Sequence, residues 1–209
     1  MAERDTEIVA RGYDLVADEY EALESSETPW PRLRRVLRFV ADLPDGSRVL
    51  DLGCGNGIPA TGELALRHVV TGIDISAEQI ARAKSNVPAA TFICGDARNV
   101  DLPVGAFDAV VALYLVDNIA REDYPALFRR IGELLRPNGR LLLSSEPGDD
   151  PWQSYTWLGV PMFINTVPTD EVVGLLEDAG LPVTCTEFES QLEGGRPIEY
   201  AWIVAVKPG

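Results

Sequence analysis

The chain of 209 residues contains few of the side chains that enzymes most often use for catalysis and metal binding. Histidine occurs once, as His68, and lysine occurs only at Lys84 and Lys207. The three cysteines are odd in number, and no two of them have the Cys-x-x-Cys spacing. Neither a disulfide framework nor a metal site is therefore expected.

Long apolar runs are also missing. The most apolar stretch, residues 106–116, contains Asp108 and is too short to span a bilayer. Residues 1–10 are charged and acidic, unlike a secretory signal peptide. We therefore expect a cytoplasmic protein with no membrane partner.

Basic charge is scarce, because 18 Lys and Arg residues face 33 Asp and Glu residues, for a formal net charge of −15. A field of this sign repels phosphate backbones, so no nucleic acid partner is expected. Four arginines lie on one amphipathic helix, and we expect them to face solvent. They are Arg32, Arg34, Arg35 and Arg38.

The length suits one domain, residues 1–209, with a substantial core. Its expected parts are N-terminal helices (1–44), a core of alternating strands and helices (45–145), an aromatic cap insertion (146–167) and a C-terminal helix with a hairpin (168–209). We expect a monomer or a homodimer.

Strands and helices alternate through the core. The strands are continuously apolar, which is typical of parallel strands buried on both faces. This pattern predicts a doubly wound α/β domain with helices on both faces of the sheet. The predicted strands are 48–52, 69–73, 90–94, 107–113 and 140–145, and the helices between them are 58–67, 76–85 and 124–135.

Outside the core, two helices are predicted before residue 45, the second at 31–41. A further helix is predicted at 169–179. Segments 183–191 and 198–207 are rich in β-forming residues and flank a Gly-Gly pair, so they are predicted to form an antiparallel hairpin.

The first strand leads into the loop Asp51-Leu52-Gly53-Cys54-Gly55-Asn56-Gly57. Glycines at this point let a ligand approach the backbone. Position 58 is Ile and no Lys follows, so the loop is neither a dinucleotide fingerprint nor a P-loop. Asp51 would repel a pyrophosphate but suits a ligand with an ammonium and a sulfonium. Cys54 is expected to be a small inert residue, with a reactive thiol as the alternative.

Two more carboxylates follow successive strands. Asp74 ends the second strand, 21 residues after Gly53, where related folds bind ribose hydroxyls. Asp96 follows the third strand, where it could accept a hydrogen bond from an adenine amino group.

This ordered set of a loop and three carboxylates resembles the class I S-adenosylmethionine-dependent methyltransferases over residues 45–206. Residues 136–141 (Arg-Pro-Asn-Gly-Arg-Leu) match that family's turn before the fifth strand. The resemblance implies a seven-stranded, mostly parallel sheet with an antiparallel last strand. It also implies S-adenosylmethionine (SAM) as cofactor and S-adenosylhomocysteine (SAH) as product.

The resemblance also implies roles for individual residues. The loop glycines would pack under the methionine moiety, with Asp51 reaching the ammonium, Asp74 the ribose and Asp96 the adenine. Two tyrosines of the stretch Tyr-Asp-x-x-Ala-x-x-Tyr would belong to a helix that closes over the cofactor, or else to the core. The complete expected set is Tyr13, Tyr20, Asp51, Gly53, Cys54, Gly55, Asn56, Gly57, Asp74, Ile75, Gln79, Asp96, Ala97, Leu113 and Tyr114.

The sequence gives a weaker indication of the catalytic residues than of the cofactor site. Related small-molecule enzymes often carry histidine where Asn118 stands, and His68 is expected at the opposite end of the sheet. Asp117, Asn118 and Glu146 are the candidate catalytic residues, with loop capping as the alternative for each.

An aromatic insertion is predicted to roof the pocket for the methyl acceptor, or else to pack as ordinary core. The candidate substrate-binding residues are Trp152, Tyr155, Trp157 and Phe163. The function implied is methyl transfer to a small neutral or cationic molecule, a metabolite or natural-product intermediate. The alternatives are a non-methylating reaction such as cyclisation and a protein that senses the cofactor.

Overall fold

The computed structural model describes residues 3–26, 31–193 and 195–209. The helices are α1 (Glu3–Leu15), α2 (Ala17–Ser26), α3 (Pro31–Val40), α4 (Ala60–Leu64), α5 (Ala77–Asn86), α6 (Tyr124–Leu134) and α7 (Thr169–Asp178). The strands are β1 (Arg48–Leu52), β2 (Val69–Asp74), β3 (Thr91–Cys94), β4 (Phe107–Ala112), β5 (Leu135–Ser145), β6 (Gln153–Trp157), β7 (Val160–Ile164), β8 (Val183–Glu193) and β9 (Arg196–Val206).

Seven strands form one sheet in the order β3-β2-β1-β4-β5-β9-β8. β1 to β5 run parallel to their neighbours among themselves, whereas β9 runs antiparallel to both β5 and β8. The predicted mostly parallel sheet with an antiparallel last strand is confirmed.

β4 lies at the centre of the core. All six of its residues are buried, and alternate side chains enter different clusters on the two faces of the sheet. Val110 packs in the cluster that contains α6 and α7, and Val111 packs in the cluster that contains α3 and α4. Helices therefore cover both faces, as the continuous apolar strands predict.

Three predicted boundaries were wrong. An interruption at Val16 divides the predicted first helix into α1 and α2. α4 is shorter than predicted, with Pro59 at its start and Gly62, a poor helix former, in its interior. β5 begins at Leu135 because that residue pairs with Phe107 before the register of the ladder shifts.

The insertion after β5 contains a second sheet, which the sequence did not predict. β6 and β7 pair as an antiparallel hairpin. Leu158 and Gly159 connect them with φ values of 47° and 83°. Two-residue hairpin turns with positive φ usually contain Asn-Gly or Asp-Gly, so the pair Leu-Gly does not predict a hairpin from the sequence.

This hairpin packs against α1. Met162 of β7 is fully buried. A Cβ added to Gly12 would lie 2.1 Å from Sδ of Met162, so the glycine leaves room for the methionine side chain. α1 and the hairpin therefore approach each other closely at this point.

The arginines of α3 only partly behave as predicted. The side chains of Arg34 and Arg38 are 68% and 71% exposed, which confirms their position on the solvent face. The side chain of Arg35 is only 14% exposed and pairs with Glu187 and Glu189 of β8, so its predicted solvent exposure was wrong. These pairs fix α3 on the sheet.

None of the described helices combines the length and the apolar character that a membrane span requires.

We predict that Met162→Ala lowers the free energy of unfolding by about 2–5 kcal/mol, because it leaves a cavity between α1 and the hairpin. Phe188→Ala is the control, since Phe188 is 53% exposed, and should change stability by less than about 0.5 kcal/mol. Urea unfolding measures both. Equal effects of the two variants would contradict the packing of the hairpin on α1.

Candidate active site

A cavity opens at the carboxyl edge of the sheet, where β1 to β4 end. Its wall consists of the segments that follow these strands and of side chains from the N-terminal helices. The lining residues that the sequence predicted are Tyr13, Tyr20, Gly53, Cys54, Gly55, Asn56, Asp74, Ile75, Gln79, Asp96, Ala97, Leu113, Tyr114 and Asn118.

The glycine-rich loop forms part of this wall with its backbone. Gly53 and Gly55 have φ values of 73° and 52°, a region that glycine adopts without steric cost. The N–H groups of Gly53 and Cys54 both donate to the carbonyl oxygen of Ile73, at 2.8 and 3.0 Å. The end of β2 therefore fixes the loop. Burial strongly raises the pKa of the Cys54 thiol, so Cys54 is not a thiolate.

Asp74 connects the loop to the end of β2. One carboxylate oxygen accepts from the N–H of Gly55 at 2.8 Å, and the other accepts from the N–H of Ser76 at 2.9 Å. Burial raises the pKa of Asp74, although both N–H groups favour its charged form. The N–H of Ile75 also favours the charged form, so about one of the four lone-pair sites of this carboxylate remains for a ligand.

Asp96 lies beyond Asp74 along the same edge and pairs with Arg98. Burial alone would raise the pKa of Asp96, but the hydrogen bonds from Arg98 outweigh it and lower the pKa. Asp96 is therefore an anion at neutral pH and a hydrogen-bond acceptor.

Asp51 and Gly57 lie outside the described cavity wall. Asp51 is 4% exposed and accepts a hydrogen bond from the Thr61 hydroxyl at 2.5 Å. Burial raises the pKa of Asp51 to about 6, while Thr61 and Arg32 act in the opposite direction. A Cβ added to Gly57 would lie 3.2 Å from the Val87 side chain, so a glycine at this position lets the loop pack closely on the core.

Arg32 is a lining residue that the sequence analysis missed, because it was placed with the solvent-facing arginines of α3. Its guanidinium carbon lies 5.6 Å from the ring centroid of Tyr114. No sequence signal marks it, because the rotation of α3 is set by the contacts of α3 with the sheet.

Tyr114 has a φ of 55°, which is unusual for a bulky residue. Its N–H donates to Oγ of Ser144 at 2.8 Å, and its hydroxyl bonds to Gln191 at 3.0 Å. Strained backbone of this kind costs about 1–3 kcal/mol and concentrates at functional sites.

Aromatic side chains close the cavity on the side of α1. The rings of Tyr13, Tyr20 and Trp157 contact one another edge to face, with centroids 5.3–6.0 Å apart. Tyr13 also donates a hydrogen bond to Oδ1 of Asn118 at 2.8 Å. Burial raises the pKa of Tyr13, so its hydroxyl keeps its proton.

The three candidate catalytic residues occupy different surroundings. Asn118 lines the cavity, and its Nδ2 donates to the carbonyl oxygen of Phe163 at 2.7 Å. Asp117 is buried, accepts from the N–H of Glu146 at 3.1 Å and, through its carbonyl oxygen, from the N–H of Asn165 at 3.0 Å. Neither Asp117 nor Glu146 lines the described part of the cavity wall.

The aromatic residues of the hairpin form a layer outside the cavity. Trp152 stacks on Phe163 with centroids 5.2 Å apart, and its Nε1 donates to Asp5 at 3.1 Å. Tyr155 pairs with Met162 in the hairpin ladder. Within the described residues, these aromatics and Trp157 are absent from the cavity wall. Trp157 reaches the cavity indirectly, through Tyr13 and Tyr20.

His68 precedes β2 and so lies at the amino end of that strand, away from the cavity. Burial and the neighbouring Arg67 lower its pKa, so the ring is neutral at pH 7.

Comparisons with known proteins agree with this geometry. Residues 49–139 match the methyltransferase domain family. The chain is 37% identical to the 27-O-demethylrifamycin SV methyltransferase of Amycolatopsis mediterranei over 60% of this chain and 47% of that protein.

Two solved structures share the fold. The magnesium protoporphyrin IX methyltransferase of Synechocystis PCC 6803, solved with bound SAH, has a TM-score of 0.74 at 19% identity and covers 97% of this chain and 99% of its own. The [4+2]-cyclase SpnF has a TM-score of 0.73 at 21% identity and covers 97% of both chains.

The sheet order, the glycine-rich loop and the match of residues 49–139 show the fold of the class I SAM-dependent methyltransferases, a family whose cofactor is SAM. The chain spans about half the length of the rifamycin relative, 47% of that protein.

We predict that Asp74→Ala weakens SAH binding by about 1–3 kcal/mol, because charge-assisted hydrogen bonds are lost. Titration calorimetry measures this, and Asp101→Ala, an exposed residue outside the cavity, is the control. Thermal unfolding shows whether the fold is intact. Unchanged affinity in a folded Asp74→Ala variant would mean that another group holds the ligand.

We also predict that His68→Ala leaves turnover within about twofold of the parent protein. Asn118→Ala, which changes the cavity wall, should lower kcat/KM and serves as the comparison. Steady-state kinetics on both folded variants tests the prediction. If turnover of a folded His68→Ala variant falls about a hundredfold, His68 has a catalytic role and the assignment of the active site to the carboxyl edge of the sheet is wrong.

Proposed function

We propose that the protein transfers the methyl group of SAM to a small-molecule acceptor, a metabolite or natural-product intermediate. The observation that carries this proposal is the order of groups along the sheet edge. Because the strand order is β3-β2-β1-β4, Asp96, Asp74, the glycine-rich loop and Leu113 follow one another along the cavity. Asp96, Asp74 and the loop match the adenine, ribose and methionine moieties of SAM in turn, and the sulfonium, which joins ribose to methionine, would face the segment after β4.

The charged groups at the loop fit the amino-acid end of the cofactor. Asp51 lies beneath the loop, and Arg32 is close enough to lower its pKa. A zwitterion requires one group of each sign. We assign Arg32 to binding the carboxylate of the methionine moiety. Asp51 would stabilise the ammonium of that moiety electrostatically, as a buried negative charge that does not contact it.

The nucleoside end fits as well. Asp74 keeps about one acceptor site beside its backbone hydrogen bonds, and this site would accept from a ribose hydroxyl. Asp96 would accept from the adenine amino group, with Ala97 beside it in the wall.

SAM supplies a methyl group already activated by a sulfonium, so the protein has mainly to bind and orient the acceptor. Of the candidate catalytic residues, Asn118 is the one on the described cavity wall, and it holds Tyr13 in place. We assign Asn118 to orienting the acceptor. Asp117 and Glu146 are assigned to supporting the wall from behind, since Asp117 bonds to the backbone of Glu146.

A second candidate is cyclisation without methyl transfer. Its support is the [4+2]-cyclase that shares the fold along nearly the whole chain, together with an asparagine in place of a base at position 118. The fold itself is common to both reactions and does not choose between them.

We expect a cytoplasmic monomer or homodimer with no nucleic acid or membrane partner. The cysteine pattern favours the cytoplasm, and the net charge of −15 disfavours a nucleic acid partner.

A single assay separates the candidate functions. The protein is incubated with methyl-labelled SAM and a panel of phenols, carboxylic acids and amines, and SAH and labelled product are measured. Label in a small molecule with an equal amount of SAH supports the proposal. Conversion of an acceptor without SAH supports cyclisation, and label entering added tRNA would contradict a small-molecule acceptor. NAD should not bind in calorimetry.

We predict that SAH affinity rises about tenfold between pH 5 and pH 7, because Asp51 must lose its proton to favour the ligand's ammonium. Its pKa of about 6 places the midpoint there. Thr61→Val removes a hydrogen bond that lowers this pKa, so the midpoint should move upward. Asp51→Asn should abolish this step. If the change in SAH affinity between pH 5 and pH 7 persists in Asp51→Asn, a group other than Asp51 causes it.

The same shift affects stability. The pKa of Asp51 is higher in the folded protein than its ordinary value of 3.8, so the folded state binds more protons between about pH 4 and pH 6. The contribution of Asp51 to stability therefore falls as the pH rises through this window.

A further inference from the structure

Arg98 lies two residues beyond Asp96 and contacts three separate segments. Its Nε is 2.9 and 3.0 Å from the two carboxylate oxygens of Asp96. Its Nη1 pairs with Asp123, between β4 and α6, and its Nη2 donates to Oγ1 of Thr6 in α1 at 2.9 Å. The side chain is only 15% exposed, so these bonds are largely shielded from water.

The contacts orient the Asp96 carboxylate. The backbone N–H of Arg98 also donates to Oδ1 of Asp96, at 2.9 Å. Three N–H groups of one residue, those of the backbone, Nε and Nη2, therefore bond to this carboxylate. An ionised carboxylate has about four lone-pair sites, so about one remains for a ligand. Because Arg98 occupies the others, the remaining site has a defined direction.

We infer that Arg98 is a positioning residue for cofactor recognition, which aims the last acceptor site of Asp96 at the exocyclic amino group of the adenine. This inference rests on the proposed contact of Asp96 with adenine. Arg98 itself does not contact the reacting atoms. Its bond to Thr6 links α1 to the same carboxylate, so recognition of the base and docking of α1 share one side chain.

A positioning role of Arg98 can be distinguished from a purely structural role by comparing the affinities of two ligands. A residue that only stabilises the fold would affect every nucleoside ligand equally. A residue that aims an acceptor at an amino group affects ligands that carry this group and spares those that lack it. The comparison is between SAH and S-inosylhomocysteine, in which an oxo group replaces the adenine amino group.

The experiment measures the affinities of both ligands by titration calorimetry on the full chain. The parent protein should prefer SAH by at least tenfold. Arg98→Ala should weaken SAH binding about tenfold and leave S-inosylhomocysteine within about twofold, which nearly abolishes the preference. Arg98→Lys keeps the charge but not the planar group of N–H donors, so it should restore the preference only in part.

Two further variants make the outcomes distinguishable. Asp123→Asn removes the charge that pairs with Arg98 in the segment before α6 but leaves Asp96 paired, so the preference should persist. Asp96→Ala removes the acceptor and should abolish the preference. If Asp96→Ala keeps the preference, the proposed adenine contact itself is wrong.

If Asp96→Ala loses the preference while Arg98→Ala and Arg98→Lys both keep it, the adenine contact stands and the role of Arg98 is overturned. Equal weakening of both ligands in Arg98→Lys, with an unchanged melting temperature, would likewise overturn it. Circular dichroism of each variant confirms that the ratios refer to folded protein.

Discussion

The hydrogen bonds of Asp74 hold the ligand edge of the sheet together. β1 and β2 are adjacent parallel strands, and the loop after β1 turns back over the end of β2. Asp74 accepts the N–H of Gly55 from that loop and the N–H of Ser76 at the start of α5. One carboxylate thus fixes two of the segments that form the wall of the cavity and still has about one lone-pair site for a ligand.

The sequence predicts the parts of the site that depend on strand order. In a parallel sheet the carboxyl ends of all strands meet at one edge, so residues that follow different strands meet in space. Asp74 and Asp96 were predicted on this ground, and both line the cavity with Gly53 and Gly55. The seven-stranded sheet and its antiparallel last strand were also predicted, from the continuous apolar strands and from the family resemblance.

The sequence could not predict the parts that depend on how separate elements pack. Arg32 has the same residue type and helix as Arg34, yet it lines the cavity while Arg34 faces solvent. The difference comes from the rotation of α3, which buries Val36 and Phe39 against the sheet and places Arg35 beside the carboxylates of β8. The hairpin was missed because its turn, Leu158-Gly159, lacks the usual residues and because Met162 finds its buried position only against α1.

The contacts that hold α1 on the rest of the molecule determine how easily this helix can separate from the sheet. Four of its residues are held largely by side-chain hydrogen bonds, to Trp152, Arg98, Asn118 and Ser76; these four are Asp5, Thr6, Tyr13 and Asp14. Such bonds each contribute about 0.5–1.5 kcal/mol, far less than the packing of a central strand such as β4. α1 also packs on Met162 of β7, so we expect α1 and the hairpin to separate from the sheet together, at a lower free energy than global unfolding requires. In hydrogen-exchange terms, we expect the amides of α1 to exchange in a different cooperative unit from those of β4, and a ligand bound between them to couple the two units.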